Sequence, residues 1–299
     1  MPRKIIYIIN PIAGTRTKNS LEKLIIQKTE EAGIAFEIFP SIASGDYSFL
    51  HSVIKEKKIT DVVIAGGDGT VSQVIGSLMQ FDLNFGIIPC GSGNGLAYTA
   101  KIPKQPSRAL NIIFKGNAVA TDGFYLNDQF ACMLAGLGLD AKVAYDFTQQ
   151  SKRGLKTYIR LVIKNFFSAR TYPFGIELNK SKLELDAFFI SIANSNQFGN
   201  NFKIAPRASL HDGLMDVVIA TRQSKLNFFL QTFRQISGFV RLQSESVIRK
   251  NKGLIYFQTK QLTIINHSRA PFHIDGEPAE TPAKIKIAIK EKCFRLIQP

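Results

Sequence analysis

The chain has 299 residues with a formal charge of +15, from 38 Lys+Arg against 23 Asp+Glu, and is 45% hydrophobic and 10% aromatic. That length exceeds one small core and suits two domains, while so much core-forming material excludes a disordered chain. No apolar run reaches the ~18 residues of a membrane span, and the first residues, "MPRKIIYIINPIAG", enter a strand without a signal-peptide layout, so the expectation is a cytoplasmic protein.

In chain order, residues 4–9 (KIIYII), 35–39 (AFEIF), 61–65 (DVVIA) and 85–88 (FGII) are short runs rich in Ile, Val and Phe that read as buried strands. Helical periodicity separates them at 19–32, 46–57 and 70–80, and continues at 93–100 and 106–115. Strands alternating with helices predict a parallel sheet covered on both faces, with ligands at the carboxyl ends of the strands. After residue 118 the texture changes to alternating strands and turns, from AVATDGFYL and QFACMLAGLG through FGIELN, ELDAFFISIAN, GLMDVVIAT, GLIYFQT, QLTIINH and FHIDGEP to AKIKIAIK. This predicts an antiparallel sandwich or barrel, interrupted by helices near 151–170 and 224–243. The expected fold class is therefore α/β followed by β: an α/β domain over 1–124, a β-sandwich over 125–290, and residues 291–299 returning to the first domain.

Cys90, Cys132 and Cys293 lack CxxC spacing, and His51, His211, His267 and His273 form no metal pattern, so neither a disulfide framework nor a zinc site is indicated. The informative segments are glycine loops: "NPIAG" at 10–14, "GGDGT" at 66–70 and "GSGNG" at 91–95. Each follows an apolar strand, so all three fall on one edge of the sheet. Bare backbone leading into a helix offers N–H groups and a positive helix end to phosphate oxygens. Each loop taken alone also reads as an ordinary strand-to-helix turn. In "GGDGT" the aspartate decides, because a carboxylate there is costly unless it meets a cation or a set of donors, and Mg²⁺ on nucleotide phosphates supplies one. GxxxxGK[ST] is absent and "GSGNG" does not fit GxGxxG, which disfavours the P-loop and dinucleotide readings.

The order "NPIAG", "SIASGD" (41–46), "GGDGT", "PCGSGNGLA" (89–97), "LHDGLMDV" (210–217) and "IDGEP" (274–278) resembles the diacylglycerol kinase catalytic family, which includes bacterial lipid kinases and the sphingosine and ceramide kinases. "GGDGT" alone is shared with NAD kinases and phosphofructokinases; the six elements in this order span essentially the whole chain. The resemblance implies an ATP-binding α/β domain of the NAD kinase/diacylglycerol kinase type, a β-sandwich domain for the lipid, and ATP- and Mg²⁺-dependent transfer of the γ-phosphate to a hydroxyl of diacylglycerol or a related lipid. It implies nucleotide contacts from Asn10, Pro11, Ile12, Ala13, Gly14, Ser41, Gly66, Gly67, Asp68, Gly69, Thr70, Val71, Ser72 and Ser92, with Asp122 in support. Ser41 and Ser92 stand where the family commonly has threonine. Asp68 is expected to orient the magnesium-bound phosphates, Glu277 to act as general base and Asp275 to be its charged neighbour, while Ser209, Asp212 and the backbone of Leu214 correspond to a structural magnesium element. Asp212-Gly213 also reads as a plain turn. Gly95 stands where many bacterial members have an acidic residue, closer to the sphingoid and ceramide kinases, which leaves the lipid open. The competing readings are a soluble-substrate kinase of the NAD kinase kind and a non-catalytic lipid-binding protein.

Basic residues outnumber acidic ones 13 to 10 over residues 1–124 and 25 to 13 over 125–299, so the second half carries the excess and favours an anionic partner. Residues 151–170 hold six basic residues and no acidic one; residues 222–252 hold seven against Glu245 alone. Leu155, Tyr158, Ile159, Val162, Ile163 and Phe166, and then Phe228, Phe229, Phe233, Ile236 and Val240, fall at helical spacing. Such helices either close the sandwich core or lie on an anionic bilayer. Lys152, Arg153 and Lys156 have the character to reach phosphate or a headgroup. The expected partners are a lipid substrate and, transiently and peripherally, an anionic membrane surface, with a homodimer as a further option and no nucleic acid.

Overall fold

The computed structural model of the protein describes residues 2–11, 18–150, 155–179, 181–197, 203–244 and 253–299. Ile12, Ala13, Gly14, Lys152 and Arg153 lie outside the described residues. The chain divides into two compact units, Met1–Thr121 with Lys292–Pro299, and Asp122–Glu291.

The first unit runs β1 (Lys4–Ile9), α1 (Lys18–Glu31), β2 (Ala35–Pro40), α2 (Leu50–Lys57), β3 (Asp61–Gly66), α3 (Asp68–Leu78), β4 (Asn84–Pro89), α4 (Gly95–Thr99) and α5 (Pro106–Lys115). Its strands are parallel in the order β2-β1-β3-β4, and the end of the last strand, β15 (Lys284–Gln298), joins β4 in parallel through Arg295 and Leu296. All six residues of β3 are buried, as expected of an interior strand with helices on both faces. At the amino edge the Arg3 guanidinium grips the buried Asp61 carboxylate at 2.9 and 3.1 Å and donates to the carbonyls of Ile113 and Phe114 at the end of α5. This fork joins β1, β3 and α5 on the side away from the glycine loops. Helix α2 begins at Leu50 rather than Asp46, because the Asp46 carboxylate accepts the Ser48 N–H at 2.9 Å and the Tyr47 N–H goes to Ser77 Oγ at 3.0 Å.

The second unit is an antiparallel β-sandwich. Strand β5 (Asn117–Leu126) enters it and pairs with β6 (Gln129–Ala131) across a two-residue turn in which Asn127 has φ of 53°. Then come β7 (Leu134–Gly138), α6 (Leu139–Thr148), α7 (Leu155–Ser168), β8 (Tyr172–Leu178), β9 (Ser181–Ala193), β10 (Met215–Thr221), α8 (Lys225–Ile236), β11 (Leu254–Thr259), β12 (Gln261–Asn266), β13 (Phe272–Ile274) and β14 (Glu277–Ala279). The thirteen-residue β9 pairs with β8 through its first half and with β7 and β10 through its second. Phe174, Ile176, Ile190, Ile192, Val217, Ile219, Ile255, Phe257, Ile264, Ile285 and Ile287 alternate inward along their strands and form the core. Helix α6 was not foreshadowed in the sequence, and α8 ends at Ile236, well short of 243, because Gly238 turns left-handed at φ of 76°.

Candidate active site

The register of the parallel sheet brings the glycine loops to one level. Ile9 lies opposite both Pro40 and Ala65, and Gly66 opposite Pro89, so Asn10, Ser41, Gly67 and Cys90 leave the sheet together. Backbone bonds of 2.9 Å from Asn10 N to Ala65 O, Ser41 N to Ile9 O and Cys90 N to Gly66 O carry the ladder one step into the loops. The loops then lock to each other. Asn10 Nδ2 donates to Thr70 Oγ1 at 2.7 Å. A Cβ on Gly91 would stand 2.5 Å from Gly67 Cα, so the two loops meet backbone to backbone. Asn94, left-handed at φ of 55°, closes its own ring by accepting the Gly91 N–H at 2.8 Å and donating to the Gly91 carbonyl at 2.7 Å.

From this junction α3 starts, with Gly67 as an extended cap and Asp68 in the first turn, where the helix dipole favours a negative charge. Gly66, Gly67, Gly69 and Ser92 line the same loops, and Pro11 is exposed beside Asn10. Val71 and Ser72 are buried in α3, and the Val71 N–H donates to the Gly67 carbonyl at 3.0 Å. Ser41 hydrogen-bonds the hydroxyl of buried Tyr47, whose pKa is raised chiefly by burial. For nucleotide phosphates the fit is favourable: two loops meet through bare Cα atoms beside the amino end of an eleven-residue helix whose cap residue, Gly67, has no side chain.

In the second unit the "IDGE" segment forms the tip of the β13–β14 hairpin. Ile274 pairs with Glu277, leaving Asp275 and Gly276 as a two-residue turn with φ of 48° and 84°, the all-positive pattern that the Asp-Gly pair favours. The Asp275 carboxylate points inward. It accepts the backbone N–H groups of Cys132, Met133 and Leu134 at 3.1, 3.0 and 2.9 Å, while its own N–H donates to the Leu134 carbonyl at 2.8 Å. Its charge is thus met by three main-chain donors, and the residue anchors the hairpin to the connection before β7. Glu277, next along, is exposed at the first position of β14.

Ser209, Asp212 and Leu214 share a turn before β10. Ser209 Oγ accepts the His211 N–H at 3.3 Å, Asp212 Oδ1 accepts the Leu214 N–H at 3.1 Å, and buried Asp122 Oδ2 accepts the Gly213 N–H at 2.8 Å. Burial foremost, and the neighbouring Asp122 charge as well, push the Asp212 carboxyl above its usual range. Asp216, inside β10, is raised to about 6 by burial, against hydrogen bonds from the Tyr256 hydroxyl and, at 3.0 Å, from Gln258. Among the described residues no group of three or more His, Cys, Asp or Glu is arranged to hold a metal ion. What the turn does offer is hard oxygen: a carboxylate crowded by a second one, a hydroxyl and a backbone carbonyl, a set compatible with a magnesium ion that keeps several waters.

Several residues carry weight that sequence reasoning did not assign. Asn194 Nδ2 donates to the carbonyls of Asp122 and Cys132 at 2.7 and 3.1 Å, holding together the segments that lead to Asp275 and Gly213; no motif marks it. His273 is 1% exposed, and a lone histidine in an apolar strand carries no signal of its own. The helices split their faces: in α7 Leu161 and Asn165 are buried while Ile159, Ile163 and Phe167 are exposed, and in α8 Phe228 is buried while Leu226, Phe229, Leu230 and Phe233 are exposed. Phe228 stacks on Phe188 with centroids 4.4 Å apart, and Lys225 Nζ donates to the Phe166 carbonyl in the last turn of α7 at 2.8 Å and to the Ala169 carbonyl just past it at 2.6 Å. Each helix therefore both closes the sandwich and presents an apolar stripe. Among the described residues no helix is long and apolar enough to cross a membrane.

Known proteins share this arrangement. The diacylglycerol kinase catalytic domain model matches residues 4–125, and the YegS C-terminal NAD kinase beta sandwich-like domain model matches residues 134–297, more than half of the chain. A diacylglycerol kinase of Bacillus subtilis is 24% identical over 279 residues, covering 92% of this chain and 89% of its own. A Chromohalobacter salexigens protein named "Probable lipid kinase YegS-like" is 24% identical over 259 residues, 85% of this chain and 81% of its own. The crystal structure of a diacylglycerol kinase from Bacillus anthracis superposes with a TM-score of 0.75 at 19% identity, covering 99% of this chain and 97% of that one, and so shares the fold. Matched along both units, the chain belongs to the diacylglycerol kinase and YegS family of lipid kinases.

Proposed function

We propose that the protein transfers the γ-phosphate of magnesium-bound ATP to a hydroxyl of diacylglycerol or a closely related lipid. The observation that carries this reading is the convergence of Asn10, Gly67–Thr70 and Gly91–Asn94 on one edge of the parallel sheet, at the amino end of α3. Phosphoryl transfer asks chiefly for positioning and neutralised charge, with one group to accept the proton of the attacking hydroxyl. Backbone N–H groups of the loops hold the phosphates, and Asp68 orients them. Glu277, exposed on a hairpin held rigid through Asp275, takes the proton. Magnesium, when bound, neutralises the charge on the phosphoryl oxygens; Asp68 would hold it with the nucleotide, and Ser209, Asp212 and the Leu214 carbonyl would hold a structural ion.

A lipid hydroxyl is reached at a bilayer. Ile159, Ile163 and Phe167 repeat every four residues along α7 beside Lys156, Arg160 and Lys164, and Leu226, Phe229, Leu230 and Phe233 make a second exposed stripe on α8. Neither helix contains an acidic residue. Apolar stripes rimmed by positive charge fit peripheral docking on an anionic cytoplasmic leaflet.

The test is incubation of the purified protein with γ-labelled ATP, magnesium and a panel of diacylglycerol, monoacylglycerol, sphingoid base and ceramide in mixed micelles. Label in a phosphorylated glycerolipid, lost on Asp68→Asn and Glu277→Gln, supports the reading. Label in a sphingoid or ceramide product moves the substrate and keeps the reaction, and absence of any organic-soluble label refutes it.

A further inference from the structure

We propose that His273 is a positioning residue that holds the Glu277 hairpin in its working conformation, an inference that rests on Glu277 being the proton acceptor. The two central residues of the turn are fixed by different means. Asp275 is held by the main chain of residues 132–134, but Gly276 is held by a side chain: its N–H donates to His273 Nδ1 at 3.3 Å. An acceptor at Nδ1 places the proton of a neutral ring on Nε2. Nε2 faces Asp140 Oδ2, 3.3 Å away in the first turn of α6, a helix that packs on both β13 and β14.

The setting leaves the ring little alternative. His273 is 1% exposed and the Asp140 side chain 11%. Behind them lies Gly136 of β7, where a Cβ would stand 2.1 Å from Asp140 Oδ2 and 2.5 Å from His273 Nε2. A bare backbone position is thus what admits the pair. Among the described residues neither Nε2 nor Oδ2 has a hydrogen-bond partner of good geometry, although both are buried. A structural histidine in an apolar strand normally has both nitrogens satisfied; this one satisfies the nitrogen that faces the turn. Gly276 precedes Glu277, so the imidazole holds the backbone of the residue next in the chain to the proposed base. A displacement of about 1 Å in a reacting group can cost on the order of 10²-fold in rate.

The test compares His273→Leu, His273→Asn, Asp140→Asn and Glu277→Gln in the full chain, with kcat, the KM for ATP and the thermal midpoint measured for each. Asparagine can place Oδ1 near the site of Nδ1 and keep the acceptor for Gly276. Expected is a fall in kcat of about ten- to a hundredfold for His273→Leu with the KM for ATP within about twofold of the parent. His273→Asn should recover most of that loss and Asp140→Asn should fall between. Equal kcat in His273→Leu and the parent overturns the inference, as does His273→Asn matching His273→Leu at the same thermal midpoint. If His273→Leu does not fold, undiminished kcat in Asp140→Asn overturns it. Glu277→Gln separates the two levels: an inactive Glu277→Gln beside an unaffected His273→Leu removes only the role of His273, whereas an active Glu277→Gln removes the base assignment and this inference with it.

Discussion

Asn10 Nδ2 reaches Thr70 Oγ1 at 2.7 Å, so the loop that leaves β1 is tied to the first turn of the helix that leaves β3. Removing the Asn10 side chain breaks that tie and leaves the core unaltered. A neutral hydrogen bond contributes about 1 kcal/mol. Asn10→Ala is therefore expected to raise the KM for ATP by roughly two- to tenfold, with a small change in the melting temperature. Steady-state kinetics at varied ATP check this.

Gly91→Ala is expected to be far more damaging than its size suggests. The added carbon would stand 2.5 Å from Gly67 Cα, an atom of main chain that cannot rotate away. Overpacking of this kind costs about 1–3 kcal/mol. Urea unfolding should show the loss, and binding of a fluorescent ATP analogue should weaken in parallel because both loops are displaced.

Asp275→Asn tests the anchoring of the hairpin. The amide keeps one oxygen for the Met133 and Leu134 N–H groups that now bond Oδ1, loses the charge, and turns its NH₂ group toward the Cys132 N–H that now bonds Oδ2. Hydrogen bonds to a charged acceptor contribute about 1.5–3 kcal/mol each, so an equilibrium destabilisation of about 3 kcal/mol is expected, with catalytic loss far beyond it. Denaturant melts and kcat on the same preparation separate the two effects.

Asp216 sets a pH dependence of stability. Its folded pKa, about 6, lies above the unfolded value of 3.8, so between those limits the folded state binds more protons than the unfolded one and stability falls as pH rises. The burden is absent below the unfolded pKa and complete above the folded one, about 3 kcal/mol at most. Asp216→Asn keeps an acceptor for Tyr256 and removes the charge. The difference in stability between the variant and the parent is expected to favour the variant at pH 7.5 and to shrink steadily to pH 4.5, measured by denaturant titration at each pH.

Phe229→Glu combined with Phe233→Glu examines the bilayer reading. Both side chains are more than half exposed, so folding should be unaffected, while binding to phosphatidylglycerol vesicles is expected to fall at least about tenfold from lost apolar burial and added repulsion. Vesicle co-sedimentation at two salt concentrations reads it out.

The parallel sheet was legible because interior strands such as DVVIAG are apolar throughout, and because three glycine loops in succession at strand ends constrain one another. The hairpin at Asp275-Gly276 was legible as an acidic motif, but the direction of its carboxylate was not: nothing local says that Asp275 turns toward the N–H groups of residues more than 140 positions earlier. Asp140 and His273 escaped for the same reason, each being unremarkable until β7, β13 and α6 are assembled around Gly136. For α7 and α8 the sequence posed core against membrane as alternatives, whereas each helix buries one stripe, with Phe228 inside, and leaves another exposed, with Phe229 outside, a split that spacing alone does not reveal. The short α6 hid because it starts directly from a strand, after a glycine at φ of 76°, with no capping side chain to announce it.

The last strand has a consequence for how the protein comes to be made. Residues 292–299 belong to the unit built mainly from residues 1–121, and Arg295 and Leu296 supply the parallel neighbour of β4. During synthesis the sandwich can be complete on emergence while the first unit still lacks the end of β15, which has not left the ribosome, with Phe85 and its neighbours short of their partner Phe294. Order of translation and order of completion are thus inverted: the part of the molecule begun first is the part finished last.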